Sequence, residues 1–269
     1  MAGPLITLTT DFGPASPYVA AMKGALWSVN PAAQLADLSH HLPPQDLRYA
    51  SFFLRSAMPY FPAGTLHVIV VDPGVGTARD LLCVQMGGQV LLVPDNGCWT
   101  ELARRLKGTP VVVRLTERRY WREEVSATFH GRDILAPVAG HLSRGVPPEE
   151  LGPRTGRWVE LSLPAPRVGP HGVAGEVVFV DDFGNLITNI EAETLPRRHE
   201  AVRGVSVGEV RVDQYVRTYA EGPPGSLVAL VSSGGTLEVA VVQGNAARQL
   251  AVAVGTPVRV EWDDTGTRP

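Results

Sequence analysis

Lysine is almost missing from this chain. Of its 24 basic residues only Lys23 and Lys107 are lysines, and the rest are arginines. With 23 prolines beside it, that bias fits a G+C-rich or heat-adapted source. Cysteine is as scarce: Cys83 and Cys98 stand alone, without C-x-x-C spacing. A disulfide framework and a cysteine zinc site are thereby excluded, which leaves two small buried residues. Strong charge of either sign is lacking too. A net charge of -3 draws in neither a nucleic-acid backbone nor an anionic membrane. No run of about 18 apolar residues is present to span a bilayer. No charged n-region with an apolar h-region opens the chain, so no signal peptide is expected. These absences together predict a soluble cytoplasmic protein, with neither nucleic acid nor membrane as a partner.

Apolar residues make up 44% of 269, enough for one large domain or two modest ones. Residues up to about 160 alternate strand and helix patterns. Helical spacing begins at Pro17, with Tyr18, Ala21, Met22, Ala25 and Leu26, and stops before Pro31; it begins again at Asp46, with Leu47, Ala50, Leu54 and Ala57. Leu66 to Val71 reads as a strand, and Leu82 to Val93 as a hairpin turning at Gly87-Gly88. Trp99 to Leu106 marks a helix, Val111 to Leu115 a strand, and Ile134 to Leu142 a further helix. This alternation predicts an α/β domain over 1–163 with a largely parallel sheet. Residues 164–172 are linker-like in composition. Short β-rich runs from 173 to 269 predict a small all-β, barrel-like domain.

Three of the strand-like runs end alike. Leu5 to Thr9 leads into Thr10-Asp11-Phe12-Gly13, Val70-Val71 into Asp72-Pro73-Gly74-Val75-Gly76, and Leu91-Leu92-Val93 into Pro94-Asp95-Asn96-Gly97. Open α/β sheets bind ligands beyond the carboxyl ends of their strands, so the three loops point to one polar crevice. Arg79 follows Asp72 by seven residues across a Gly-rich turn, close enough to pair with it, either as a structural ion pair or as part of a site. His130, in Ala127-Thr128-Phe129-His130-Gly131-Arg132-Asp133, opens a helix and reads alone as a cap or core residue. An Asp, an Arg and a His from separate loops of one sheet suit polarisation of a small nucleophile.

Other patterns are weaker. Gly74-Val75-Gly76 is not G-x-G-x-x-G, and no P-loop lysine follows it. His40-His41 with Asp37 nearby invites a metal reading, but no H-x-x-x-H or H-E-x-x-H partner exists. No G-x-S-x-G elbow is present. In the second half, Asp181-Asp182-Phe183-Gly184-Asn185, Ser232-Ser233-Gly234-Gly235 and Gln243-Gly244-Asn245-Ala246 each read as a turn or as a ligand-facing loop.

Taken in order, these segments resemble the S-adenosyl-L-methionine hydroxide adenosyltransferases, or SAM hydrolases, relatives of fluorinase and chlorinase. Tyr18-Val19 with Met22-Lys23-Gly24, Leu237-Glu238 and Gly244-Asn245-Ala246 belong to the same series. The resemblance implies a homotrimer and cleavage of S-adenosylmethionine by water to adenosine and L-methionine, with no cofactor and no metal. It implies catalytic roles for Asp72, Arg79 and His130. It gives Asp11 the ribose hydroxyls, Asp181, Asn185 and Ser233 the methionine end, and Asn245 and Ala246 the adenine. Ser16 stands where an Asp is usual, and Ser232-Ser233-Gly234 where Asn-Ser-aromatic is usual. Fluorinase-type relatives carry a tyrosine in place of Asp72 and Tyr-Ser in place of His130-Gly131, so the Asp/Arg/His set implies water rather than halide as nucleophile.

The chemistry is consistent with that. In-line attack at ribose C5′ expels a neutral thioether from a sulfonium, which needs no general acid. A carboxylate that already serves a guanidinium is a weak base, which favours an orienting role for Asp72 and leaves His130 as the proton acceptor. The competing expectations are a chloride-using halogenase, a non-catalytic S-adenosylmethionine- or adenosine-binding protein, and a metal-dependent hydrolase.

Overall fold

The apolar run that leads to Asp72 lies inside a seven-stranded sheet. The computed structural model describes residues 5–106, 108–212 and 214–263. The chain divides into two units, Met1–Leu161 and Ser162–Pro269. In the first, β1 (Leu5–Thr10), β2 (Gln34–Ser39), β3 (Leu66–Val70), β4 (Leu81–Met86), β5 (Gln89–Pro94), β6 (Val111–Arg114) and β7 (Arg154–Thr155) take the order β2-β1-β3-β5-β4-β6-β7. β2, β1, β3 and β5 run parallel, while β5–β4, β4–β6 and β6–β7 are antiparallel pairs. The expected largely parallel sheet is therefore mixed. The reason is the Gly87-Gly88 turn, both of whose residues have positive φ, 58° and 79°. A two-residue turn of that kind returns the chain antiparallel.

The period-two alternation of the central strands assigns alternate side chains to two cores. Leu66, Val68 and Val70 pack with Met22 and Leu26 of α1 (Tyr18–Val29) and Val138 of α4 (Ala136–Ser143). Ile69 and Val71 pack with Leu54 of α2 (Leu47–Ala57) and Leu102 of α3 (Thr100–Arg105). Helices thus cover both faces, and the polar residues beyond the strand ends have nowhere to go but the edge. Asp46 caps α2 by accepting from Tyr49 N at 2.9 Å, as a short acidic side chain before a helix does. β2 escaped the sequence reading. It is an outer strand with no fully buried residue, so it lacks the apolar alternation that marks its neighbours.

The second unit carries β8 (Arg167–Gly169), β9 (Gly172–Val180), β10 (Leu186–Glu191), β11 (Val202–Val207), β12 (Val210–Arg211), β13 (Gln214–Tyr215), β14 (Leu227–Val231), β15 (Thr236–Val241) and β16 (Pro257–Trp262). Their order is β12-β11-β16-β9-β10-β15-β14-β13, with β8 beside β9. Val205 and Val258 from one side of that order share a core with Leu227 and Val239 from the other. Such a core requires the sheet to curl into a half-barrel. A short helix, α5 (Ala246–Leu250), departs from the all-β expectation. The stretch 164–172 is structured rather than a free linker. β8 pairs with β9, Pro164 O accepts from Asn189 Nδ2 at 2.8 Å, and Pro170 O accepts from Trp262 Nε1 at 3.2 Å. Its prolines and glycines read as a linker because their composition hides this pairing. Among the described residues no helix is long and apolar enough to cross a membrane.

Candidate active site

β1, β3 and β5 are adjacent and parallel, so Asp11, Asp72 and Asp95 all follow strand ends on one edge of the sheet. Two of the three have different work. The Asp95 carboxylate accepts from Val159 N at 2.7 Å, which fixes a neighbouring segment. Asp72 meets Arg79: Nε donates to Oδ1 at 2.7 Å, and Nη2 donates to Oδ2. Both side chains are under a tenth exposed. Arg79 Nη2 also reaches His130 Nδ1 at 3.2 Å. The three side chains expected from sequence to act together therefore form one bonded set.

That set fixes the histidine tautomer. A guanidinium only donates, so Nδ1 of His130 supplies the lone pair and Nε2 carries the proton. Burial, reinforced by the Arg79 charge, pulls His130 below its ordinary value against Asp72 and Asp133, and keeps it neutral. The expectation that His130 takes the proton meets a competing use of the same nitrogen. Its lone pair is already committed, and an imidazolium would sit against a guanidinium. Arg79 Nη1 is buried without a hydrogen-bond partner. A buried donor in that state is costly unless something else accepts from it.

Glycines permit the approach of the loops. A Cβ on Gly76, which has φ of +81°, would lie 2.4 Å from Ala127 O, and one on Gly131 would lie 3.1 Å from Val70 Cγ1. The Gly-rich turn and the His130 loop thus pack closer than any side chain allows. Below them, Asn96 Nδ2 donates to Val71 O at 2.9 Å and ties the Asp72 strand end to the next loop. Burial, with the Asp72 charge behind it, raises the Cys98 thiol above its ordinary value. Both cysteines are buried and free.

Sequence reasoning missed two supports. Asp133 is fully buried. It accepts from Ser126 N at 2.9 Å, from Arg132 Nε at 2.6 Å and from Arg132 Nη2 at 2.8 Å. Burial pushes Asp133 up, but these partners outweigh it and hold the carboxyl below its ordinary value. The turn from Gly131 to Leu135 is π-helical, a form often found at functional sites. Phe12, Tyr18 and Phe129 meet edge to face, with centroids 5.4 to 5.7 Å apart, joining the loop after β1 to the one before His130. Their spacing of 6 and 111 residues gives no local signal; an aromatic beside each polar motif is the only trace.

With this geometry in view, the comparisons with known proteins are decisive. The family model described as SAM hydroxide adenosyltransferase N-terminal domain matches residues 6–152, and that of the C-terminal domain matches residues 175–259. The chain belongs to the SAM hydroxide adenosyltransferase family. It is 40% identical over 262 residues to an (R)-S-adenosyl-L-methionine hydrolase of Salinispora arenicola, covering 96% of this chain and 97% of that one. A protein of the same name from Thermus thermophilus is 41% identical, covering 93% and 97%. A fluorinase from an Actinoplanes species is more distant, at 25% identity over 88% and 90%. Among solved structures, an uncharacterized conserved protein from Thermotoga maritima superposes with a TM-score of 0.88 at 34% identity, covering 95% of this chain and 99% of that one.

The remaining family positions fall as follows. The Asp11 carboxylate accepts from Gln45 N at 2.7 Å. In the second unit, Asp181 Oδ1 accepts from Phe183 N at 3.0 Å and from Asn185 N at 2.8 Å, while Oδ2 accepts from Asn185 Nδ2 at 3.0 Å. Asn245 caps α5 by accepting from Arg248 N at 2.8 Å. Gly184 lies directly on Asn245, and its carbonyl accepts from Ala247 N at 3.0 Å. Asp181, Asn185, Asn245 and Ala246 therefore cluster. Ser233 is apart from them. It sits in the turn before Thr236, whereas Asn245 follows the Val241 end of β15, so the strand separates it from the others.

Proposed function

We propose that this protein hydrolyses S-adenosyl-L-methionine to adenosine and L-methionine. The observation that carries the reading is the bonded Asp72–Arg79–His130 set, in a chain about two-fifths identical to (R)-S-adenosyl-L-methionine hydrolases over nearly its whole length. The reaction is an in-line displacement at ribose C5′. Water oxygen forms the new bond, the C5′–sulfur bond breaks, its electron pair stays on methionine sulfur, and one proton is released.

The residues divide the work by their free valences. Arg79 Nη1 is the donor without a protein partner, suited to hold the water oxygen. Each Asp72 oxygen accepts one N–H from Arg79 and keeps a second lone pair to accept a water proton and aim the water. His130 Nε2–H is a second donor. Hydroxide-like oxygen and sulfonium lose charge together on the way to the transition state, so a site with few competing waters favours the step. Asp11 is assigned the ribose hydroxyls. Asp181 and Asn185 are assigned the methionine end, and Asn245 and Ala246 the adenine. No cofactor or metal takes part in this reading. A homotrimer is part of it, checked by light scattering on the eluting peak. Cytoplasmic residence is its cellular counterpart.

The test is chromatography of purified protein with S-adenosylmethionine, with and without high chloride, beside His130→Ala. Adenosine and methionine in equal amounts, lost in the variant, are expected. Unconsumed ligand would overturn hydrolysis in favour of a binding role. 5′-Chloro-5′-deoxyadenosine would turn it toward halogenation, and loss of turnover on chelation toward a metal hydrolase.

A further inference from the structure

His40 and Asp37, which hydrolysis as described leaves unused, form a chain that ends at the two backbone amides following Asp11. Lys23 Nζ of α1 donates to Asp37 Oδ2 at 2.6 Å. Asp37 Oδ1 lies 3.1 Å from His40 Nε2, though outside hydrogen-bond alignment. His40 Nδ1 lies 2.9 Å from Thr10 Oγ1. A carboxylate beside Nε2 favours the proton there, which leaves Nδ1 to accept from the Thr10 hydroxyl. Thr10 Oγ1 in turn accepts from Phe12 N at 3.3 Å. His40 O accepts from Gly13 N at 2.8 Å. Both backbone N–H groups next after Asp11 are thus tied to this chain. The Asp11 carboxylate is held from its other side by Gln45 N, on a residue with left-handed φ of 65°. A non-glycine residue in that region is a strained one kept in place by its surroundings.

Thr10, His40 and Asp37 follow one another in the order of a nucleophile, its base and an orienting acid. Thr10 is fully buried, so it meets no substrate and attack by its hydroxyl is excluded. What remains for the chain is mechanical. Burial raises Asp37, yet the contacts from Lys23 and His40 outweigh it and keep its carboxyl below its ordinary value. The anchor therefore stays charged throughout the neutral range.

We propose that His40, oriented by Asp37 and Lys23, is a positioning residue that sets the Asp11 carboxylate for the ribose hydroxyls of the substrate. This rests on the hydrolase reading, with Asp11 on the ribose diol. A carboxylate that accepts from two vicinal hydroxyls needs its plane fixed. A loop whose first carboxylate is pinned on one side by Gln45 and whose next two amides are pinned on the other has little freedom left.

The test compares adenosine with 2′,3′-dideoxyadenosine, which lacks the diol, as ligands of wild type, Asp11→Ala, His40→Ala, His40→Asn and Asp37→Asn, by calorimetry. Wild type is expected to prefer adenosine, and Asp11→Ala to lose the preference. His40→Ala should reduce it about tenfold, the worth of roughly one hydrogen bond, with dideoxyadenosine affinity unchanged. In turnover it should raise KM for S-adenosylmethionine while leaving kcat near wild type. His40→Asn, which keeps a polar atom near Nδ1, should restore most of the preference. Asp37→Asn, a milder change at a partly exposed side chain, should shift it in the same direction by less. An equal loss of both nucleosides in His40→Ala would overturn the proposal, since a general loosening does not read the diol. So would a wild-type preference in His40→Ala when Asp11→Ala has lost it. A preference that survives Asp11→Ala would instead overturn the ribose role of Asp11 and the proposal with it.

Discussion

The two units hold their candidate site residues in opposite ways. In the first, Asp72, Arg79 and His130 find their partners across 7 and 51 residues of sequence, and Arg79 keeps a buried N–H in reserve. In the second, Asp181 bonds within its own turn, and Asn245 spends its side-chain oxygen on its own helix. Long-range bonding builds a rigid constellation in which one lone pair or N–H is left for chemistry. Short-range bonding builds shaped loops whose remaining valences and backbone suit recognition. The contrast matches the division of labour proposed here, catalysis and the ribose in the first unit and the methionine and adenine ends in the second.

The sharpest break of this contrast is at Arg79. Arg79→Ala should lower turnover about a thousandfold, the range for loss of a group that acts on the reacting atoms, with circular dichroism unchanged. Asn185→Ala should instead raise KM more than it lowers kcat. Comparable kcat losses at the two positions would erase the distinction.

Asp133→Asn comes next. Removing a buried charge from Arg132, and from Arg122 at 3.6 Å, should cost about 2 kcal/mol, read from urea unfolding at neutral pH. Its native pKa is depressed, so its contribution is present above the unfolded carboxylate value and is lost as pH falls through the folded value. The variant should therefore approach wild-type stability only in strong acid.

His130 gives a pH signature of smaller size. The neutral imidazole accepts from Arg79, so turnover should be flat through neutrality. It should fall only as pH drops through a value below the ordinary histidine figure of about 6.5, measured as kcat against pH. A fall that sets in above that figure would contradict the neutral imidazole. The smallest effect is expected at Asn245. Asn245→Ala removes an N-cap worth about 1 kcal/mol, visible as a modest drop in Tm. A larger drop would mean that the Asn245 loop also depends on long-range contacts.

Much of the fold was legible because it is written in local patterns. The strands leading to Asp11, Asp72 and Asp95 are β-branched runs stopped by Gly-rich turns, and α1 and α2 carry helical spacing between clear boundaries at Pro17, Asn30 and Asp46. β2 was illegible because an outer strand buries little. β8 was hidden by the proline-rich composition around it. The site was legible as residue types. Asp133 was passed over because its worth lies in being fully buried, which a sequence does not display. The Phe12, Tyr18 and Phe129 contact was passed over because it joins residues far apart in the chain.

By itself the sequence determined which side chains stand at the strand ends and that two differently patterned units follow one another. Those are consequences of period, turn chemistry and composition over a few residues. Only the tertiary structure decided that His130 presents a lone pair to Arg79 rather than to a water, that Asp95 braces while Asp72 faces the arginine, and that Ser233 sits at the far end of its strand. The reason is that a hydrogen-bond donor chooses its acceptor by direction and distance to within a few tenths of an ångström, and groups dozens of residues apart acquire those only once the sheet has brought their loops to one edge.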